Sequence, residues 1–585
     1  MSASPRPVLP DFPASHWQAS SAGTMGAPRP APAALRVFVV GAASVGLAVL
    51  PFKYFELDRF FVPKEVALQL VAAAALVATA RPRTVTRGAT TPPVTRLAAA
   101  TGVDLALACF LAVSLASAAL APSGWLAARA LGVSAAGVAL FWAARDAARA
   151  GWSTAVLWAA ALLPIVAVAT ALAQAYGLQS EYFSLNRAPG GTFGNRNFVA
   201  HLCAIGLPVL AYLALRARRA PEVAGATVAF AAAAAALVLT RSRGAWLAAS
   251  VAALPFAAGL LRAAAARRDE RRRDGQPPHP RTRPLGASRV RAARAPILVA
   301  AAAVAAVAAV RLPNALDWRS DSPYLDSARD VVNYREGSGQ GRLTQWRHSA
   351  RLVVQAPLLG VGPGNWPVRY PAVAPARDPS LTKEGTTDNP WPSSDWVAFV
   401  SERGLLGAGA AAAAFFFLAL RAHHLVWRTA AADARLRGGA LGAVLAAALT
   451  AGAFDAVLLL AAPAFLTWTT AGALAGADDA PARGRPRGAS WLLVGALLAA
   501  AVVSAAHAAA MDLFSDGRAR ALDQAARIAP GDYRIQLRAA QVALHGGRCD
   551  VARPRAVAAQ RVAPSAPAPA RVLRACGANA PRGRR

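Results

Sequence analysis

The chain has 585 residues, of which 56% are hydrophobic and 16% charged, with a mean hydropathy of +0.35. A soluble enzyme carries about 25% charged residues, so a single soluble domain, a secreted disulfide scaffold and a disordered chain are excluded. The net charge of +33 sits mainly in short segments between apolar runs, with no basic helix or aromatic-interleaved stripe, which argues for orientation in a bilayer and against nucleic acid.

In chain order, residues 1–33 are rich in Pro, Ala and Ser and are expected to form a disordered cytoplasmic tail. Apolar runs of spanning length then predict thirteen membrane helices, at 34–51, 61–79, 102–121, 126–144, 152–175, 197–215, 222–240, 244–261, 296–311, 404–420, 439–454, 457–476 and 491–510. The first begins late and is long enough to remain a span rather than a cleaved signal peptide. The expected fold is an all-α polytopic membrane protein. Its helices fall into groups at 34–311 and 404–510, with one large extracytoplasmic loop at 312–403 and a small helical tail at 511–585.

The charge rule for membrane loops tests this layout. The segments 81–97, 145–151, 216–221, 262–295, 421–438 and 477–490 hold the Arg clusters, and all fall on one side. The N-terminus is therefore expected in the cytoplasm and the C-terminal tail outside it. One pair of cations breaks the rule: Arg241 and Arg243 lie at a span end on the opposite side, in the sequence Thr240-Arg241-Ser242-Arg243. Charges placed against the rule are either functional or snorkelling at the interface.

The loop 312–403 is about ninety residues long, mixed in charge and rich in Trp and Gly, which suits a folded functional cap. In the tail, Ala-Ala-Arg-Ile-Ala-Pro ends at Pro530 and Ala-Gln-Arg-Val-Ala-Pro ends at Pro564, thirty-four residues later. That is the tetratricopeptide period, although alanine-rich helices can produce the same pattern. Too few repeats fit to stand alone, so the tail should pack on the rest of the protein. Cys109 and Cys203 lie in spans as core packing, whereas Cys549 and Cys576 lie in the tail, where an oxidising compartment permits a disulfide.

Three stretches on the side away from the basic loops carry chemistry. The first is Gly191-Thr192-Phe193-Gly194-Asn195-Arg196-Asn197-Phe198, with glycines for close backbone approach, two amides and a cation. The second is Thr240–Trp246. The third, in the large loop, runs from Gly341-Arg342 through Gly360-Val361-Gly362-Pro363-Gly364-Asn365-Trp366 to Asp395-Trp396 and Glu402-Arg403-Gly404-Leu405-Leu406-Gly407.

Together, these stretches resemble the O-antigen ligase and polysaccharide polymerase superfamily of bacterial envelope glycosyltransferases over roughly residues 180–475. The resemblance implies transfer of a glycan from undecaprenyl pyrophosphate at the outer face of the inner membrane. The acceptor would be lipid A-core, a second lipid-linked glycan or a protein, and the reaction would be metal-independent, without cofactor and inverting. Guanidiniums stabilise the charge that develops on a departing pyrophosphate, which makes Arg241 and Arg243 the first candidates for that clamp. Arg196 and Arg342 come next, although headgroup binding and a loop salt bridge are open to them. Asn195, Asn197, Gly362, Asn365 and Glu402 complete the expected substrate-binding set.

The family commonly has a His-Asn pair before the Glu-x-Gly-Leu-Leu-Gly segment, with the His as general base. Here that register holds Ser393-Ser394-Asp395-Trp396. Two roles are open to Asp395: proton acceptor in place of the His, or N-cap of the next span. His348 is expected to be structural and His201 a satisfied intramembrane group, while Asp455 lies near an outer turn and is a secondary substrate candidate. A polymerase and a protein O-oligosaccharyltransferase fit the same pattern. A non-catalytic scaffold would explain the missing His, and a transporter is disfavoured because no internal symmetry is visible.

Overall fold

A computed structural model describes residues 32–51, 56–80, 101–184, 186–273, 285–318, 320–330, 337–382, 384–477 and 487–578. The tail 1–31, the basic segment 81–97, and residues 274–284 and 478–486 of two other basic segments lie outside them. The described chain is helical, with no strand among the described residues.

Each predicted span corresponds to a helix: α1 (Pro32–Leu47), α2 (Glu56–Thr79), α3 (Thr101–Ala119), α4 (Gly124–Ala147), α5 (Ser153–Ala175), α6 (Arg196–Arg216), α7 (Ala220–Leu239), α8 (Arg243–Arg273) and α9 (Leu285–Arg311). In the large loop follow α10 (Pro323–Arg329), α11 (Gly337–Gln355) and the single turn α12 (Trp366–Arg369). The remaining spans are α13 (Asp395–Trp427), α14 (Ala432–Phe454), α15 (Ala461–Ala475) and α16 (Arg487–Asp516). The tail is α17 (Ala519–Ile528), α18 (Tyr533–His545), α19 (Cys549–Val562) and α20 (Pro567–Ala578).

Among the described residues, ten stretches are long and apolar enough to cross a membrane. One of them, Gly124–Ala175, contains both α4 and α5, joined through a π turn in which Gly151 takes φ 89°. The chain is an all-α polytopic membrane protein. α1 is a shorter apolar helix, and α15 has fifteen residues, every one of them buried. A helix apolar on all faces sits inside a bundle. Helices approach closely where side chains are small: a Cβ on Gly259 of α8 would stand 2.5 Å from Gly439 Cα of α14.

Several expected boundaries shift. α13 begins at Asp395 rather than 404, because Ser394 caps it by accepting from Val397 N–H. Gly404, at φ 65° and ψ −174°, then breaks its helical path at the predicted start. α8 and α9 extend past the predicted ends of their spans, so much of the expected cytoplasmic loop is helical. Cys109 also differs from expectation: it points out of the bundle, whereas Cys203 is buried.

Among the described residues, the basic segments 216–221, 262–295 and 421–438 meet at one end of the bundle. Arg294 donates to Ala217 O at 2.7 Å, Arg435 to Arg262 O at 3.0 Å, and Arg267 pairs with Asp433 at 3.4 Å. At the other end lie the tail and the large loop. The tail is fastened to the bundle through Arg534, which pairs with Asp58 of α2 at 2.5 Å, and Cys549 and Cys576 form a disulfide between α19 and α20.

Candidate active site

A cavity of about 980 Å³ opens at the end of the bundle away from the basic segments. It is bordered by Asp58 of α2, Leu126 of α4, the start of α6, the α7–α8 turn, the large loop, the α14–α15 connection and the tail. These are the segments that the charge rule assigns to one side, so the topological pattern and the cavity agree.

Asn195 caps α6: its side chain accepts from Asn197 N–H at 3.0 Å, which aims the first turn and Arg196 at the cavity. The α7–α8 turn is tight. Arg241 takes φ 53°, a left-handed conformation that is costly for a residue with a Cβ and tends to mark functional sites. That turn sends Arg241 and Arg243 into the cavity wall. Arg241 Nε donates to Ser327 Oγ at 2.9 Å, and Arg243 Nη1 to Asp330 O at 2.6 Å, so α10 braces both.

Trp318 ties the two expected cation sets together. Its ring lies 4.9 Å from the Arg196 guanidinium carbon and 4.7 Å from that of Arg241, within range of a cation–π contact. Arg342 of α11 also lines the cavity, and its Nε is buried without a hydrogen-bond partner. Asn195, Arg196, Asn197, Arg241, Arg243 and Arg342 thus line one cavity.

Four expected site residues lie elsewhere. Asp395 is fully buried and accepts from the backbone N–H groups of Val457 at 2.9 Å, Leu458 at 2.8 Å and Leu459 at 3.4 Å. It ties the start of α13 to the α14–α15 connection and does not border the cavity. Asn365 is also fully buried: its Oδ1 accepts from Ser123 N–H at 2.8 Å and its Nδ2 donates to Ser123 O at 3.1 Å. It joins the large loop to the α3–α4 turn. Gly362, at φ +102°, leaves no room for a side chain, since a Cβ would stand 2.3 Å from Ala121 Cβ. Glu402 is buried against Arg403 at 3.3 Å and accepts from Trp366 N–H. These residues hold the loop on the bundle.

Among the aspartates that line the cavity, Asp455 is the one placed beside the first turns of α6. One of its oxygens lies 3.9 Å from His201 Nε2 and 3.4 Å from Asn197 Nδ2. His201 is therefore not the satisfied group that was expected, because its Nδ1 is buried without a partner. Trp391 lines the same region, edge-on to Phe61 and Phe198 at 5.2 and 6.4 Å.

His348 is built into the loop core: its Nδ1 lies 2.9 Å from Asp378, whose carboxylate also accepts from the Tyr370 hydroxyl at 3.0 Å. Burial pushes Asp378 upward, but the Ser380 N–H, His348 and Tyr370 outweigh it and hold the carboxyl below its ordinary range. Burial raises the Tyr370 phenol. This cluster is structural and does not border the cavity.

Residues 228–412 match the family model described as O-Antigen ligase. The match is narrower than the resemblance over 180–475. It takes in Arg241, Arg243 and Arg342 and leaves Asn195, Arg196, Asn197 and Asp455 outside. No curated protein matches the chain closely enough to count as a relative. Residues 228–412 are thus similar to the O-Antigen ligase family, and this stretch supplies Arg241, Arg243 and Arg342 to the cavity.

Proposed function

We propose that this protein transfers a glycan from undecaprenyl pyrophosphate to lipid A-core at the periplasmic face of the inner membrane. The family match supports ligase-like glycan transfer in general. The single observation that carries the finer reading is the convergence of Arg196, Arg241, Arg243 and Arg342 on one cavity at the end of a span bundle. Aspartates also line the cavity, but Arg196 and Arg241 share the Trp318 ring, where like charges repel one another and an anion between them is favoured. A diphosphate held at the membrane surface, with its prenyl chain between the spans, meets that need.

In this reading the acceptor hydroxyl oxygen attacks the anomeric carbon while the bond to the diphosphate oxygen breaks. The bonding electrons leave with the diphosphate, where the guanidiniums stabilise them. The N-termini of α6 and α8 open on the same cavity and add partial positive charge. Asp455, oriented by Asn197 and His201, takes the hydroxyl proton, and the configuration inverts. Asp395 then serves as an anchor for the α14–α15 connection rather than as the base. The reaction needs no metal for charge neutralisation in this scheme, since the arginines supply it.

A deletion strain complemented with wild type or Arg243→Ala tests the reading, with lipopolysaccharide resolved on gels. Naked lipid A-core together with accumulated lipid-linked chains is expected from the deletion and from Arg243→Ala. Single repeat units still attached to the core would make the protein a polymerase instead. A normal profile from Arg243→Ala would sink the clamp.

A further inference from the structure

The cavity has two walls of different chemistry. One is the guanidinium wall. The other is made by the C-terminal tail, where Gly531–Arg534, running from the α17–α18 turn into the start of α18, and Val562–Ala563 at the end of α19 border the same space. The first follows Pro530 and the second precedes Pro564, the two prolines that mark the thirty-four-residue repeat. Across from them the large loop contributes Thr386, Thr387, Asp388 and Asn389.

The tail is fitted to this position. Gly531 lies against α4, where a Cβ on it would stand 2.2 Å from Trp125 Cβ. The Gly531 carbonyl accepts from Ser123 Oγ at 3.5 Å, and the Tyr533 hydroxyl donates to Glu384 O at 3.5 Å. Gly385 takes φ +81°, and a Cβ there would lie 2.4 Å from Pro567 Cδ of α20. The tail is therefore packed closely against α4 at Gly531 and against the loop at Glu384–Gly385.

The groups offered between them are hydroxyls, a carboxylate and an amide, with Tyr533 and Trp391 nearby. Arg534, the one cation on this wall, is neutralised by Asp58 at 2.5 Å and Asp532 at 3.3 Å. Such a surface suits a neutral ligand dense in hydroxyls, whose C–H faces rest on aromatic rings. We propose that the turns 531–534 and 562–563, together with loop residues 386–389, form a saccharide subsite for the sugar units beyond the one joined to diphosphate. The tail is then part of the substrate site and not an appendage. The proposal rests on the reading that the guanidinium wall takes the diphosphate.

The test uses full-length protein in lipid nanodiscs and two probes: undecaprenyl diphosphate alone, and the same lipid carrying an oligosaccharide. Wild type should bind the glycosylated lipid at least about tenfold more tightly. Ala563→Leu, which adds bulk from the tail, and Asp388→Ala, on the exposed loop side, should lose that preference while binding the bare lipid as wild type does. The Cys549–Cys576 disulfide on a non-reducing gel reports whether the tail is folded, and Tyr533→Phe replaces Ala563→Leu if it is not. Wild-type preference retained in these variants overturns the proposal, and so does a wild type that binds both lipids equally. A wild type that binds neither lipid overturns the diphosphate reading itself, and the subsite with it.

Discussion

The Asp455 carboxylate stands 3.9 Å from His201 Nε2, across the join between the α14–α15 connection and the first turns of α6. Both residues border the cavity, and the Asp455 side chain keeps 15% exposure where that of His201 keeps 2%, so the carboxylate is the more open of the two. A general base contributes about 10²- to 10⁴-fold to a transfer of this kind. Asp455→Asn should therefore lower glycan transfer by that order while the protein still accumulates in membranes. His201→Gln should cost less, because it disturbs orientation and leaves the proton acceptor in place. Transfer per molecule at the wild-type level in Asp455→Asn would remove Asp455 from the chemistry.

Asp395 gives the opposite expectation. Both of its oxygens are occupied by three backbone N–H groups at the Val457–Leu459 turn. Asp395→Asn keeps one acceptor oxygen but turns an NH₂ towards those donors, at a cost of about 1–3 kcal/mol for the groups left unpaired. Thermal unfolding in detergent should shift downward, with activity per folded molecule retained. An unshifted unfolding curve with abolished transfer would restore Asp395 as the proton acceptor.

Arg241 combines a backbone requirement with a charge requirement, and two substitutions separate them. At φ 53° a β-branched residue is strained, whereas Asn tolerates the left-handed region. Arg241→Asn should fold normally and lose transfer, because the guanidinium over Trp318 and the bond to Ser327 are gone. Arg241→Val should lose both transfer and about 1–3 kcal/mol of stability. Equal unfolding temperatures for the two variants would show that the turn stores no strain.

The span layout is legible in the sequence because apolar run length and loop charge are one-dimensional signals. The same rule flags Arg241 and Arg243 as cations out of place, and they line the cavity. The glycine-rich stretch misleads for a physical reason. Gly362 and Gly364 do admit a close backbone approach, but the approach is to Ala121 and Leu126, not to a ligand, and sequence cannot say which surface comes close. Choosing between Asp395 and Asp455 needs their surroundings, since both lie near the cavity end of a span. Trp318 sits outside any periodic pattern, so nothing in the sequence marks it. The repeat in the tail is visible as a period, yet its place on the cavity is set by Arg534 meeting Asp58, 476 positions away in the chain.

That docking should depend on pH. Asp532 is buried, which alone would raise its pKa, but the Arg534 guanidinium, the His507 ring and the Ile535 N–H outweigh burial and hold the carboxyl at about 2. A carboxyl depressed in the folded state contributes stability above its unfolded value, near 4, and loses it as pH falls towards the folded value. The contribution is on the order of 2 kcal/mol. Protease sensitivity of the α16–α17 junction should therefore rise between about pH 4 and 2, with the span bundle still intact. Asp532→Asn removes the titrating group and the cap charge together. It should expose the junction already at neutral pH and flatten the acid response. An acid response in Asp532→Asn as steep as that of wild type would assign the effect to another carboxylate, with Asp58 on the far side of Arg534 the next to replace.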